Sequence, residues 1–282
     1  MSDTDATIAA ALTGEGRDAR IYSTRHGPMF GLQGDRYISR SLEVYGEFSW
    51  SEARLLERLV QPGQTVVEVG ANIGAHTVLL ARRCAPGLVY AFEPQQRVFQ
   101  LLCANLALND IRNVIARPEA CGEEPGEVIV PAVDYGAALN FGGLSVQAAD
   151  SGVLGHRTPL TRLDDLPLEA CHLLKIDVEG FEPEVLRGAV AMIARFRPLI
   201  YVENDRPAQQ QEVISLIAAM GYRQYWHTPP LFNPQNAKGV AENIFGTLVS
   251  VNMLCIPSER PDSPAGITAI DPDNWTSPVK VA

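Results

Sequence analysis

Residues 65–77, TVVEVGANIGAHT, run from an apolar β-branched segment through two glycines into a helical pattern. A strand that turns tightly into a helix aims backbone amides at a ligand, and the spacing of the turn says which ligand. A dinucleotide fingerprint needs G-x-G-x-x-G, yet Asn72 stands where its second glycine belongs. A P-loop needs Gly-Lys-Ser/Thr, and none follows. What the stretch offers is acid-x-Gly-x-Asn-x-Gly, with Glu68 in the strand and Gly70, Asn72 and Gly74 in the turn. A carboxylate there repels a pyrophosphate and favours a ligand with an ammonium and a sulfonium, such as S-adenosylmethionine. Taken alone, the two glycines equally suit any tight strand-to-helix turn.

Outward from the turn, strands alternate with helices. LVYAFEP precedes a helix with Leu102 and Leu106 inward, and NVIARPEA follows. The alternation resumes with LLKIDVEG, a helix around Val185, Leu186, Ala189 and Val190, and LIYVEN. A helix with Val213, Leu216, Ile217 and Met220 on one face then leads to RQYWHT and TLVSVNMLCIP. Near-continuous apolar strands between amphipathic helices predict an α/β fold, a mostly parallel sheet with helices on both faces. The polar loop of residues 228–243, with no crossover helix, predicts an antiparallel closing pair. Upstream, MFGLQGDRYISRSL reads as a hairpin turning at Gln33, Gly34 and Asp35, and Ser49 and Glu52 have capping-box spacing before a helix.

Residues 122–165 read as a β-rich insertion, too short for a core of its own and placed where open α/β sheets bind ligands. The expected organisation is a leader and β-hairpin over residues 1–50 packed on the core, a catalytic domain over 51–256, and a tail over 257–282. The formal net charge of -10 speaks against nucleic acid, which needs a basic surface. The N-terminus shows no secretory pattern and no segment is long and apolar enough for a membrane, so a cytoplasmic protein is expected. Five scattered cysteines, none in CxxC spacing, suit reduced core thiols. The sequence is silent on oligomeric state.

Glu93, with Pro94 behind it, ends the second strand of the alternation, where two carboxylate oxygens can accept both hydroxyls of a ribose. NAD-binding folds share such an acid, so Glu93 indicates adenosine without choosing the ligand. Glu119, Ala120 and Cys121 follow the third strand, where an adenine edge would meet a backbone amide. Asn105 and Asn109, four apart on the intervening helix, read as structural.

GANIGAHT, AFEP, the Asn105–Asn109 element and above all KIDVEGFE at residues 175–182 resemble the FkbM family of S-adenosylmethionine-dependent methyltransferases. The resemblance covers roughly residues 40 to 205. It implies the class I methyltransferase fold, Rossmann-like and seven-stranded with an antiparallel closing strand. It also implies that Glu68, Gly70, Asn72, Gly74, Glu93 and Asp177 line the cofactor site; Thr77, Pro94, Glu119 and Ala120 are further candidates for it. Glu47, in the stretch that lies next to the bound cofactor in such enzymes, joins this set. The implied reaction is O-methylation of a small hydroxylated acceptor, sugar-like or a secondary metabolite.

An alcohol attacks a methyl only once its proton is removed or shared, so a base or a metal is needed near it. Asp177, ending the KIDVEG strand, and Glu203, ending LIYVEN, are the candidate carboxylates. Glu179 serves equally as a helix cap. Lys175 should face the same side as Asp177 and pair with it. Asp177, Glu203 and Asn204 together resemble the Mg²⁺ ligands of catechol-type methyltransferases. His227 is the histidine best placed as general base. Two other readings stay open: an NAD(P)-dependent oxidoreductase, weakened by Asn72, and a protein that binds S-adenosylmethionine without catalysis.

Overall fold

The computed structural model describes residues 18–135, 137–261, 264 and 266–278. Most of the expected leader, residues 1–17, and the end of the tail, residues 279–282, lie outside the described residues. The chain opens with β1 (Ala19–Thr24), β2 (Gly27–Leu32), α1 (Ile38–Tyr45) and α2 (Trp50–Leu59). The alternating region follows as β3 (Val66–Val69), α3 (Thr77–Cys84), β4 (Val89–Phe92), α4 (Gln96–Leu108) and β5 (Val114–Arg117). Four strands, β6 (Ala120–Cys121), β7 (Gly126–Pro131), β8 (Gln147–Ala148) and β9 (Gly155–Thr161), form a small second sheet in the order β6-β9-β7-β8. Then come β10 (Leu173–Ile176), α5 (Glu182–Arg187), α6 (Val190–Phe196), β11 (Leu199–Glu203), α7 (Gln210–Ala219), β12 (Tyr222–His227), β13 (Asn252–Pro257) and β14 (Thr268–Ile270).

The main sheet has the order β14-β12-β13-β11-β10-β3-β4-β5. Strands β3, β4, β5, β10 and β11 are parallel. The antiparallel strand expected at the close is β13, which slots between β11 and β12 and opposes both. An eighth strand, β14, pairs antiparallel with β12 and corrects the seven-strand expectation. Its three residues sit in a Pro- and Asp-rich stretch with no alternating pattern. The open edge of β12 and the burial of Ile270 supply what that pattern lacks.

Successive strand residues face opposite sides, so the apolar runs build two cores. Val67, Val69, Leu174, Ile176, Ile200 and Val202 meet α5, α6 and α7. Val66, Ala91, Leu173 and Tyr201 meet α2, α3, α4 and the N-terminal hairpin. Leu80 and Leu102 are fully buried in the second core, and each stabilises the fold by about 2 kcal/mol. Among the described residues no helix is long and apolar enough to cross a membrane.

The N-terminal region departs from expectation. The hairpin is β1 with β2, turning at Arg25 and His26 rather than at Gln33 to Asp35. Asp35 instead organises a helix start: its carboxylate accepts the amides of Tyr37 at 3.2 Å and Ser39 at 2.6 Å. That turns ISRSL into α1, with Leu42 and Tyr45 buried. Ser49 does not act as a capping box either. Its backbone is left-handed at φ 41°, and its hydroxyl donates to the Glu52 carboxylate at 3.0 Å instead of taking an amide.

Asn105, with no exposed surface, ties the hairpin to the sheet. Its Oδ1 accepts Phe30 N at 2.6 Å, and its Nδ2 donates to Phe30 O at 3.0 Å and Ile73 O at 2.8 Å. Asn105→Ala leaves those backbone groups buried without partners, and should cost about 3 kcal/mol in urea denaturation. Hydrogen exchange should show β2 amides losing protection first; unchanged protection there would refute the tether.

Candidate active site

The turn after β3 is built by backbone conformations that only certain residues hold. Gly70 has φ 84°, and a Cβ there would stand 1.8 Å from the Asp177 carbonyl oxygen, so the ends of β3 and β10 close together only over a glycine. Asn72 has φ 50°, a left-handed value that asparagine tolerates, and its Oδ1 accepts the next amide, Ile73 N, at 2.8 Å. Asn72 is therefore a turn residue in its own right, not a failed dinucleotide glycine.

Beneath the turn, Lys175 and Glu68 are register partners on β10 and β3 and face the same core. The Lys175 ammonium lies 3.2 Å from Asp177 Oδ2 and 3.8 Å from Glu68 Oε1, and Thr77 Oγ1 donates to Glu68 Oε2 at 2.7 Å. Burial pulls the lysine's pKa down, but Asp177, Glu68 and Glu52 outweigh it and the net shift is upward. Glu68 and Thr77 are thus fully engaged below the cavity and do not line it. Gly74, also expected at the cofactor, is packed against Leu102 and does not line it either.

The cavity itself has a volume of about 420 Å³ and opens at the carboxyl ends of β3, β4, β10 and β11. Gly70, Asn72, Glu93, Pro94, Glu119, Ala120, Asp177 and Glu203 come together in its wall. Glu93 is held by two amides, Gln95 N at 2.8 Å on Oε1 and Asn72 N at 2.9 Å on Oε2. Burial pushes its carboxyl up to about 7 despite those bonds. Glu119 pairs with Arg117 at 2.9 Å and accepts the Thr161 hydroxyl. At the ends of β10 and β11, carboxylate oxygens of Asp177, Glu179 and Glu203 lie within 4.8 Å of one another. Arg206 pairs with Glu179 and, at 3.3 Å, with Asp205. Burial, then the charges of Asp177 and Glu179, raise Glu203 well above the ordinary carboxyl range, and its Oε2 has no partner among the described residues.

Three expected residues lie elsewhere. Glu47 bonds Arg25 at 2.7 Å, Asn233 Nδ2 at 2.7 Å and Ala237 N at 3.1 Å, clamping the loop before β13 to the hairpin. The Asn204 amide points into the core toward Gln210 O and Met253 Sδ, so the Mg²⁺ set of Asp177, Glu203 and Asn204 does not converge. The His227 ring lies 2.8 Å from the Tyr201 hydroxyl and lines a second cavity with Trp226 and Trp275, away from Asp177. Burial lowers its pKa.

Sequence reasoning missed Glu52, Gln95, Asn140 and Arg206 in the wall. Gln95 Nε2 donates to Phe141 O at 2.8 Å, bringing the insertion over the site. Its position directly after Glu93-Pro94 was the one available signal. Glu52 was visible only as a capping residue.

Glu93 sets a pH dependence. Its ordinary value is 4.5 and its folded value about 7, so below 4.5 both states hold the proton and the penalty is absent. Between 4.5 and 7 the unfolded chain ionises while the folded carboxyl keeps its proton, so stability falls with rising pH and levels off above 7. Glu93→Gln removes this loss, so between about pH 5 and 8 its unfolding free energy should drop about 2 kcal/mol less than wild type's. Equal drops would mean that Glu93 titrates normally.

Against known families, residues 68–224 match the methyltransferase FkbM domain. The 31-O-demethyl-FK506 methyltransferase FkbM of Streptomyces tacrolimicus is 31% identical over 204 residues, 61% of this chain and 78% of that protein. A tRNA(Phe) (4-demethylwyosine(37)-C(7)) aminocarboxypropyltransferase of Methanocaldococcus jannaschii is 37% identical over 71 residues, 23% of this chain. The chain spans only 28% of that archaeal protein's length. Among solved structures, methyltransferase FkbM from Methylobacillus flagellatus KT aligns with a TM-score of 0.46 at 15% identity, over 69% of this chain and 44% of that one. With more than half of its residues matched to the domain, the chain belongs to the FkbM methyltransferase family.

Proposed function

We propose that this chain transfers a methyl group from S-adenosylmethionine to a hydroxyl of a small acceptor, sugar-like or a secondary metabolite. The observation that carries this reading is a surplus of acid around one cavity. Glu52, Glu93, Glu119, Asp177, Glu179, Glu203 and Asp205 line it, against Arg206 as the one cation among the described lining residues. Such a wall attracts a ligand with positive centres and repels a pyrophosphate, which argues against the NAD(P) reading.

The residues present fit the cofactor. Glu93 keeps lone pairs free for two ribose hydroxyls after accepting its two amides. The backbone beside Ala120 and Cys121 suits an adenine edge, and Gly70 lets a ligand approach the turn closely. When bound, S-adenosylmethionine supplies an electrophilic methyl on a sulfonium. The chain's own part is to hold the acceptor in line, exclude water and take the hydroxyl proton. We assign that proton to Asp177 and Glu203. Both end strands at the cavity.

The acceptor wall is formed by Leu231, Leu248 and Val251 from the loop before β13 and by Asn252 at the start of that strand, together with Leu144 and Val146 of the insertion. Its mixed apolar and polar character supports a small hydroxylated molecule, as does the name of the Streptomyces relative. The net charge of -10 supports such an acceptor over the tRNA named for the archaeal relative. Five free cysteines support a reducing, cytoplasmic setting. In this reading residues 51–256 are the catalytic domain and 122–165 its acceptor-side insertion.

Calorimetry should show binding of S-adenosylmethionine and none of NAD, and a panel of glycosides should reveal methyl transfer. Glu93→Ala should weaken cofactor binding about tenfold. Glu203→Gln should lower kcat about a hundredfold while cofactor affinity changes less than about threefold. Tight binding of NAD without any response to S-adenosylhomocysteine would overturn the proposal.

A further inference from the structure

We propose that Glu52 of α2 holds the ammonium of the cofactor's amino-acid portion, an assignment that rests on the cofactor reading above. Glu52 is 4% exposed and reaches the cavity beside Phe48, Val69 and Gly70. Other acids in this wall already have strong partners. Glu93 has two backbone amides, Asp177 has Lys175, Glu119 has Arg117, and Glu179 and Asp205 share Arg206.

Glu52 has much less. One oxygen accepts the neutral Ser49 hydroxyl at 3.0 Å, and the other stands 3.7 Å from His76 Nδ1, beyond hydrogen-bond reach. Burial holds His76 well below its ordinary pKa, so the ring brings no charge. Lys175 is felt electrostatically, but its ammonium is spent on Asp177 and Glu68. A buried carboxylate short of counter-charge is unfavourable in the empty site and favourable once a ligand brings the missing cation. An ammonium, a compact charge with three donors, matches that vacancy. Glu203 is the other under-partnered acid, but it ends β11 beside Asn252 and Val251, on the acceptor side. Glu52 lines the cavity from α2 instead, near enough to feel Lys175 and Glu68 of β10 and β3. Burial also pushes its carboxyl up to about 7, so below neutrality most of the protein carries there a proton that an arriving ammonium should displace.

Two ligands separate the ends of the cofactor in calorimetric titrations: S-adenosylhomocysteine, and 5′-methylthioadenosine, which keeps the adenosine thioether and lacks the amino-acid portion. Glu52→Gln should weaken S-adenosylhomocysteine about tenfold and leave 5′-methylthioadenosine within about twofold. At about pH 6.5, titrations in buffers of different ionisation enthalpy should show wild type releasing most of a proton on binding S-adenosylhomocysteine, and Glu52→Gln releasing markedly less. Equal weakening of both ligands, weakening of neither, or undiminished proton release overturns the assignment. Wild-type protein that binds neither ligand overturns instead the cofactor reading beneath it.

Discussion

The site depends on one buried ammonium. Lys175 sits in the middle of the parallel sheet, 2% exposed, bracketed by Glu68 on the neighbouring strand and Asp177 at the end of its own. Alone, any of these charges would be too costly to bury, and together they are held only at good geometry. The lysine therefore fixes the register of β3 against β10 at the point where Gly70 meets the Asp177 carbonyl. It also satisfies the acids below the cavity while leaving those above it in excess. The negative character of the opening is a consequence of where that single cation lies: in the floor, turned toward its own strands.

Much of this was legible in the sequence, for physical reasons. Four-residue strands buried on both faces read as apolar runs broken by a single charge each, and the glycines of the turn stand out because few other residues hold their angles. Glu93 and Asp177 were visible because strand ends are where such sheets place function. Other features were hidden because they depend on partners distant in the chain. Asp35 looked like a hairpin residue until its carboxylate was seen to accept the amides that open α1. Ser49 and Glu52 had capping-box spacing, and spacing cannot reveal that their side chains bond each other over a cavity. Glu47 lies five residues from Glu52, and no local pattern tells which of the two faces inward. Asn204 follows Glu203 directly, so strand alternation alone sends its amide to the opposite face.

The second sheet shows how a fold can add a wall without adding a core. Its strands pair mainly with one another, and its contribution to the site comes from β6 and from the segment between β7 and β8, where Phe141 is buried against Tyr135 and accepts from Gln95. Asn140 and Gly142 thereby face Asn72 across the opening. Residues of the cavity wall thus come from segments with different tolerance for change: a rigid parallel sheet on one hand, a short β-rich excursion on the other.

The loop between β12 and β13 has unusually firm anchorage for so long a connection. Glu47 receives Asn233 and Ala237, the Tyr45 hydroxyl donates to Glu242 O and accepts Ile244 N, and Lys238 donates to the last carbonyls of α1. This part of the cavity wall and the amino-terminal helix are in this way one mechanical piece. Change in the wall has to proceed at rungs the anchors leave free, such as Leu231 and Leu248. Exchanging the whole connection with a relative would demand a matching α1.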